Sequence, residues 1–358
     1  MNLERLHLDK TLFYALLTLA TISVFVVYSG SAKDVNATVG HFSRLALGFA
    51  VLLAVAQIRP EVLERWSPYF FIAGMLLLIA VLAVGVIGKG AQRWLNLGLF
   101  RFQPSEIMKL AVPMMLAWFL ARGNLPPTPS KLGLAFLIMA VPAFMIFRQP
   151  DLGTALLVFG AGTFVLFLGG MRWSVIATLL AGIAVAAPFA WNQLHDYQRN
   201  RVLTLFNPEA DPLGTGYHTI QSMIAVGSGG VYGKGWLNSS QAHLDYLPES
   251  STDFIFAVYA EEFGLLGSLL LLATYTIIVA RGLLIAYLAK DSYTRLLAGS
   301  LSLTFFLYFF VNMGMVTGIL PIVGVPLPVM SYGGTSIVTI MAAFGILMSI
   351  QTHRKIAE

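Results

Sequence analysis

Long apolar runs recur along the whole chain, and short polar segments separate them. A helix of about 20 apolar residues crosses the hydrocarbon core of a bilayer. Continuous runs favour helices, because a membrane-spanning strand shows alternation instead. The pattern predicts an all-α polytopic membrane protein, one membrane domain over residues 1–358, with about ten transmembrane helices, at 10–29, 40–58, 67–88, 104–121, 132–147, 152–170, 173–190, 254–288, 296–317 and 333–351.

Composition supports the same class. Hydrophobic residues make up 57% of the chain and charged residues 11%, and the mean hydropathy is +0.77. A soluble domain carries about 25% charged residues. The first run, from Thr11 to Tyr28, exceeds the apolar region of roughly 7–15 residues in a signal peptide, so it is expected to remain as the first span.

Cysteine is absent, and the six histidines show no metal-ligand spacing. No disulfide, structural metal or cofactor is therefore expected, and a requirement for a divalent cation stays open. In a membrane protein a net charge of +5 reports orientation before it reports partners, so no nucleic acid is expected.

Lys and Arg orient the predicted helices. With the N-terminus inside, the inner segments carry 12 of them and the short outer loops carry 5. The long outer segment between helices 7 and 8, about 191–252, counts weakly in this rule. Both termini are predicted to be cytoplasmic. The inner residues are Arg5, Lys10, Arg59, Arg65, Arg122, Lys131, Arg172, Arg281, Lys290, Arg295, Arg354 and Lys355, and the outer ones are Lys33, Lys89, Arg93, Arg101 and Arg148.

This orientation places every chemically rich stretch on the outer face. Four of them, QPSE, QPDLGT, STDF and GGTS, begin helices that run from outside to inside. Helix N-termini present free N–H groups and a positive dipole end, so their convergence would favour an anionic ligand such as a phosphate.

Glu106 and Lys109 lie three residues apart, just inside the fourth span. That spacing puts both side chains on one helix face. Ionisable groups inside a membrane segment are costly and usually face a bundle interior or a water cavity. Two interpretations remain open: a structural ion pair, or a pair that positions charge beside a substrate.

Asp253 opens the eighth span. It could cap the helix, although Ser251 and Thr252 are equally suited to that role. Alternatively, a partly desolvated carboxylate there could act as a general base. Glu261 lies eight residues further, about 80° around the helix, and could face the same interior, whereas Glu262 points roughly opposite.

Further charged residues flank these stretches. Asp151 is a candidate helix cap, and Arg148 is a candidate fork for a phosphate or carboxylate. Arg93 and Arg101 could serve the same purpose or could anchor lipid headgroups. The predicted substrate-binding residues are Arg93, Arg101, Gln103, Arg148, Asp151, Glu261 and Ser331.

The stretch GSGGVYGKG, residues 227–235, lacks the Walker pattern. Ser228 stands where that pattern needs glycine, and Gly235 replaces the Ser or Thr after Lys234. A flexible or re-entrant glycine loop is expected in place of a nucleotide site.

Five blocks resemble those of the SEDS family (shape, elongation, division and sporulation), closer to its RodA elongation branch than to its FtsW division branch. They are GAQRWLNLGLFRFQPSEIMKLA, RQPDLGTAL, NPEADPLGTGYHTIQSMIAVGSGGVYGKGWL, LDYLPESSTDFIFAVYAEEFG and GILPIVGVPLPVMSYGGTS. The resemblance implies a ten-helix peptidoglycan glycosyltransferase that polymerises lipid II, an undecaprenyl-pyrophosphate-linked disaccharide with a stem peptide. It places the active site on the outer side of the bacterial plasma membrane.

The same resemblance implies that Asp253 is the essential aspartate, and that Glu106 and Lys109 are the family's Glu and Lys. It implies a class B penicillin-binding protein, a transpeptidase, and other elongation-machinery membrane proteins as partners. An α-linked donor that gives a β-1,4 link is inverted, which requires one base and no enzymic nucleophile. Two rival functions remain open, a lipid II flippase and a non-catalytic scaffold for the transpeptidase.

Overall fold

Helices follow the apolar runs in the computed structural model, which describes residues 6–88, 91–96, 101–193, 196–210, 214–244 and 246–356. Each predicted span coincides with a helix. These are α1 (Lys10–Gly30), α2 (Val35–Ala56), α3 (Pro60–Val84), α4 (Pro104–Ala121), α5 (Pro129–Phe147), α6 (Leu152–Leu168), α7 (Trp173–Gln193), α11 (Ile255–Tyr287), α12 (Ser292–Val316) and α13 (Thr335–Ile356).

Eight of these helices are long and apolar enough to cross a membrane. Of the other two, α6 is a shorter apolar helix of 17 residues and α7 has 21 residues. The all-α membrane fold is thus confirmed, while the cytoplasmic placement of both termini stays a prediction.

Aspartate and proline start most of the spanning helices. Four aspartates each accept a backbone N–H through their own carboxylate in the N-cap position, and three prolines stand at a first helical position, where no N–H is needed. The aspartates are Asp9, Asp34, Asp151 and Asp291, and the prolines are Pro60, Pro104 and Pro129. A chain poor in carboxylates therefore uses several of them to define helix starts.

Burial shows which helices form the centre of the bundle. In α4, 72% of the most apolar window is buried, against 67% in α12, 61% in α13 and 22% in α3. Many polar side chains on α4 and α12 are therefore buried inside the protein. The Glu106–Lys109 pair is on the most buried of these helices.

Three short antiparallel strands, in the order β1-β2-β3, precede α4. They are β1 (Val86–Gly88), β2 (Ala91–Asn96) and β3 (Arg101–Phe102). The sequence analysis did not predict them, since runs of 3, 6 and 2 residues carry too little periodicity. They bring Arg93 and Gln103 next to the start of α6.

The predicted outer segment is largely helical. It holds α8 (Asp196–Phe206), a single 3₁₀ turn at Pro208–Ala210, α9 (Thr215–Ser228) and the short α10 (Ser240–His243). The Ser222 hydroxyl donates to the carbonyl oxygen of Val316 at 2.9 Å and ties α9 to the end of α12.

Helix α11 is broken at Gly264, whose φ of 64° and ψ of −160° are not helical. The long eighth span is therefore divided into two helical parts. Residues 229–237, here called the glycine segment, pack into the break. Four backbone bonds join the two parts: Lys234 N to Glu261 O at 3.0 Å, Gly235 N to Glu262 O at 2.9 Å, Leu265 N to Gly230 O at 2.9 Å and Leu266 N to Val231 O at 3.1 Å.

Candidate functional site

Glu106 and Lys109 form a buried ion pair in the first turns of α4. Lys109 Nζ lies 2.5 Å from Glu106 Oε1, and the residues are 6% and 5% exposed. Lys109 Nζ also lies 4.9 Å from the ring centroid of Tyr308 on α12. Removing two charges from water is expensive unless they are well paired, so each residue needs the other to be buried here.

A small cavity adjoins the pair between α4, α12 and α13. Its volume is about 30 Å³, and its lining includes Glu106, Lys109, Thr304, Tyr308 and Phe344. Glu106 Oε2 and Thr304 Oγ1 are buried and accept or donate no hydrogen bond within the described part of the chain. The pair therefore keeps one carboxylate oxygen available for a further polar contact.

Asp253 lies in the turn that leads into α11, not in the capping position. The helix begins at Ile255, and Phe254 occupies the N-cap without a side-chain hydrogen bond. The capping interpretation is therefore not supported. Asp253 is half-buried, and a Cβ added to Gly324 would lie 3.4 Å from Asp253 Oδ2, so the loop before α13 runs close beside the carboxylate.

Hydrogen bonds fix the backbone on both sides of Asp253. Asn312 Nδ2 on α12 donates to the carbonyl oxygen of Asp253 at 2.8 Å and to that of Val325 at 2.7 Å. The Ser331 hydroxyl donates to the carbonyl oxygen of Thr252 at 2.6 Å and accepts from the N–H of Leu327 at 2.7 Å. Ser331, a predicted substrate-binding residue, is thus occupied in holding the turn.

Helix α12 connects Asp253 with the ion pair. Asn312 binds the Asp253 backbone and Tyr308 contacts Lys109, and these two residues are four apart. Residues at that spacing share a helix face, separated by about 6 Å along the axis. The structure therefore brings the three predicted catalytic residues to one face of α12.

Arg93, Gln103 and Asp151 also come together. Asp151 caps α6 by accepting from Thr154 N at 3.2 Å, which agrees with the capping interpretation. Its other oxygen accepts from Gln103 Nε2 at 3.1 Å and lies 3.9 Å from Arg93 Nε. Arg93 also donates to the carbonyl oxygens of Gln149 and Pro150, so it braces the turn before α6.

One other predicted binding residue stands apart from this cluster. Arg148 is exposed at the C-terminal end of α5. The side chain of Arg101 lies outside the described residues, so its predicted role stays a prediction.

Glu261 does not reach the interior beside Asp253 as expected. Its carboxylate is fully buried and accepts hydrogen bonds from Lys234 Nζ at 2.6 Å, Ser239 Oγ at 2.6 Å and Ser240 Oγ at 2.7 Å. In an uncovered helix, the i+8 spacing would place Glu261 near the face of Asp253. In the structure the glycine segment covers the helix at Glu261. Glu262 has other partners and accepts from Ser29 Oγ and Leu237 N.

Arg44 is a charged residue near the site that the sequence analysis missed. It lies within α2, with its guanidinium carbon 4.1 Å from the ring centroid of Tyr332. Its Nη1 is buried and has no hydrogen-bond partner among the described residues. Tyr332 N in turn donates to Ser251 O at 2.8 Å, in the turn before Asp253. An arginine inside a predicted span was the available signal.

The described ranges contain no candidate metal site, since no group of three or more His, Asp or Glu residues is placed to hold an ion.

Comparison with known proteins places these residues in a family. The FTSW_RODA_SPOVE family model, described as "Cell cycle protein", matches residues 9–356. "Peptidoglycan glycosyltransferase MrdB" of Escherichia coli K12 is 51% identical over 353 residues, covering 98% of this chain and 95% of that protein. "Stage V sporulation protein E" of Bacillus subtilis is 33% identical and covers 99% of this chain and 100% of its own length.

Solved structures give the same result. A chain from the work described as "Structural coordination of polymerization and crosslinking by a peptidoglycan synthase complex" aligns with a TM-score of 0.85 at 30% identity, covering 97% of this chain and 98% of that chain. The crystal structure of the Thermus thermophilus rod shape determining protein RodA aligns with a TM-score of 0.73 at 26% identity, covering 97% of both.

Proposed function

The chain belongs to the FtsW/RodA/SpoVE family and is a peptidoglycan glycosyltransferase, and we propose that it polymerises lipid II into glycan strands during cell elongation. The reaction is an inverting single displacement on the outer face of the bacterial plasma membrane. The acceptor 4-hydroxyl attacks the donor anomeric carbon, and the pyrophosphate-linked lipid leaves.

Asp253 is the general base in this proposal. The observation that carries it is the position of the carboxylate: half-buried, one residue before the cap of α11, on a backbone held by Asn312. A base must be fixed within hydrogen-bond reach of the hydroxyl it deprotonates. A turn bonded on both sides to α12 and to the loop before α13 meets that requirement.

The Glu106–Lys109 pair and Arg44 supply charge beside the reacting groups. A pyrophosphate leaving group needs no general acid when cations and helix N-termini stabilise its developing charge. Arg44 has a guanidinium nitrogen without a protein partner among the described residues, so it is the cation best placed to bind a phosphate oxygen. Lys109 is matched by Glu106 and therefore orients the site more than it adds net charge.

A class B penicillin-binding protein is the partner that we propose. Support comes from the similar chain in the peptidoglycan synthase complex, whose description joins polymerization and crosslinking. The transpeptidase would cross-link each strand as the polymerase extends it. Family membership supports a plasma membrane location, and the Lys and Arg distribution supports a site on its outer face.

Asp253→Asn tests the proposal. It preserves shape but removes the base, so polymerisation of lipid II by the purified protein should fall at least about 100-fold. Asp34→Asn is the matched control: Asp34 caps α2, and asparagine caps equally well, so its activity should match the parent.

Both variants should melt at the parent temperature and bind lipid II. If Asp253→Asn keeps more than roughly a tenth of the parent rate, the base lies elsewhere. Detergent solution has no membrane sides, so glycan synthesis there by the parent also excludes a protein that only flips lipid II or only scaffolds the transpeptidase.

A further inference from the structure

We propose that Glu261 and Glu262 are positioning residues for Asp253: they lock the glycine segment into the break of α11 and so fix the half-helix that begins beside the base. This inference rests on the proposed role of Asp253. The half-helix is residues 255–263, between that turn and Gly264.

The break leaves backbone groups that a continuous helix would pair internally. The glycine segment supplies the missing donors and acceptors through its bonds to residues 261, 262, 265 and 266. The fit requires glycine. A Cβ at Gly229 would overlap the carbonyl oxygen of Ala260, and a Cβ at Gly233 would overlap that of Glu262. The glycine segment therefore fits the break of α11 through specific backbone contacts that only glycine allows.

Glu261 binds the glycine segment and the residues that follow it. It accepts from Lys234 Nζ, from the hydroxyls of Ser239 and Ser240, and from Ser240 N at 3.1 Å. These groups lie 21 to 27 residues before it in the chain. One carboxylate thus gathers the end of the glycine segment and the start of α10.

Glu262 binds the end of the glycine segment and the end of α1. Its Oε1 accepts from Leu237 N at 3.0 Å and from the hydroxyl of Ser29 at the end of α1. Ser29 Oγ also lies 3.4 Å from His243 Nε2 on α10. This contact connects the half-helix to two further elements.

Burying the carboxylates of Glu261 and Glu262 costs desolvation free energy. Glu261 is 0% exposed and Glu262 is 1% exposed, and apolar residues of similar volume would avoid the cost of desolvating two carboxylates. Directional contacts are what the carboxylates add. We therefore attribute to them the orientation of the half-helix as well as its packing.

The orientation of the half-helix at Glu261 and Glu262 affects the position of Asp253 beyond its other end. The half-helix extends from Glu261 back to Ile255, about 9 Å, and Asp253 lies in the turn just before it. A tilt of about 6° at Glu261 would displace the start of the half-helix by about 1 Å, and a misplacement of 1 Å can cost about 10²-fold in rate.

Glu262→Leu removes the acceptor but keeps most of the volume, whereas Glu262→Gln keeps a carbonyl oxygen for Leu237 N. We expect Glu262→Leu to lower kcat per folded protein by about 10- to 100-fold with KM for lipid II unchanged. Glu262→Gln should stay within about threefold of the parent. Tyr232→Ala, an exposed change in the same segment, is the matched control and should leave kcat unchanged.

The absence of cysteine allows a direct structural readout. Spin labels on cysteines introduced at exposed Pro248 and Val39 report the distance from the Asp253 turn to α2. The distribution should be narrow in the parent and in Asp253→Asn, and broader in Glu262→Leu. Asp253→Asn thereby tests the base separately, since it should change rate without changing distance.

An unchanged kcat in folded Glu262→Leu, or an unchanged distance distribution, would overturn the inference. If Glu262→Leu does not fold, Ser239→Ala decides, because it removes one bond to Glu261 and keeps the charge balance. Its kcat should fall by at least about threefold with a broader distribution. A result equal to that of Tyr232→Ala would overturn the inference.

Discussion

Replacing Lys109 with methionine should destabilise the protein severely, because it leaves the Glu106 carboxylate in a buried site without a cation. Both residues are nearly inaccessible to solvent, and the atoms of the pair are 2.5 Å apart. Removing one partner of a buried pair costs about 3–5 kcal/mol, while a whole domain is stable by only about 5–15 kcal/mol. A loss of activity in this single variant would therefore not separate catalysis from folding.

The double substitution Glu106→Leu/Lys109→Met separates the two. It replaces both charged side chains with apolar ones of similar volume, and such replacements of buried pairs range from neutral to about 1–4 kcal/mol stabilising. The double variant should therefore melt near or above the parent and well above Lys109→Met. Its polymerisation rate per folded protein should still be at least about 100-fold lower, as for the loss of an electrostatic contact in other active sites.

The assay combines thermal unfolding in detergent with lipid II polymerisation at matched folded concentration. The control pair is Arg281 and Asp9, where Nη2 and Oδ2 are 2.6 Å apart at the other end of α11. Arg281→Met should lower the melting temperature and leave the rate per folded protein unchanged. A double variant that folds and polymerises like the parent would refute the catalytic reasoning and leave the pair a purely structural one.

Two further predictions concern the fold. Gly264→Ala should cost about 1–3 kcal/mol or more, since φ is positive and a Cβ would overlap Gly233 N, whereas Gly182→Ala, with open space around it, should be neutral or slightly stabilising in a melting assay. Reporter fusions after Arg122 and after Lys290 should read cytoplasmic and one at Asn238 external; an external signal at either of the first two sites would contradict the proposed orientation.

Local rules were enough to predict the spans and part of the site. Apolar runs of bilayer length located the helices, and the i, i+3 spacing of Glu106 and Lys109 correctly placed both side chains on one face. The cap at Asp151 followed from residue preference alone. In each case the interacting residues lie within a few positions of each other, so helix geometry alone predicts their contact.

Long-range contacts account for what the sequence did not reveal. The break at Gly264 is stable only because donors and acceptors arrive from about residues 230–235, and nothing in a single apolar run indicates them. Ser331 looked available to a substrate because Thr252 O and Leu327 N become its partners only in the folded chain. Arg44 carries a local signal, a charge inside a span, but its contact with Tyr332, which is far away in sequence, links it to the site only in the folded chain.

We propose that aspartate serves two purposes at the starts of these helices, as a cap and as a base. At Asp9, Asp34, Asp151 and Asp291 the carboxylate accepts an N–H of its own helix. Each of these carboxylates is thereby turned toward the first turn of its own helix. In α11 the cap position belongs to Phe254, which makes no side-chain cap hydrogen bond, and Asp253 lies one residue before it. We propose that this position, on a turn whose backbone Asn312 and Ser331 hold, distinguishes the candidate base from the four helix caps.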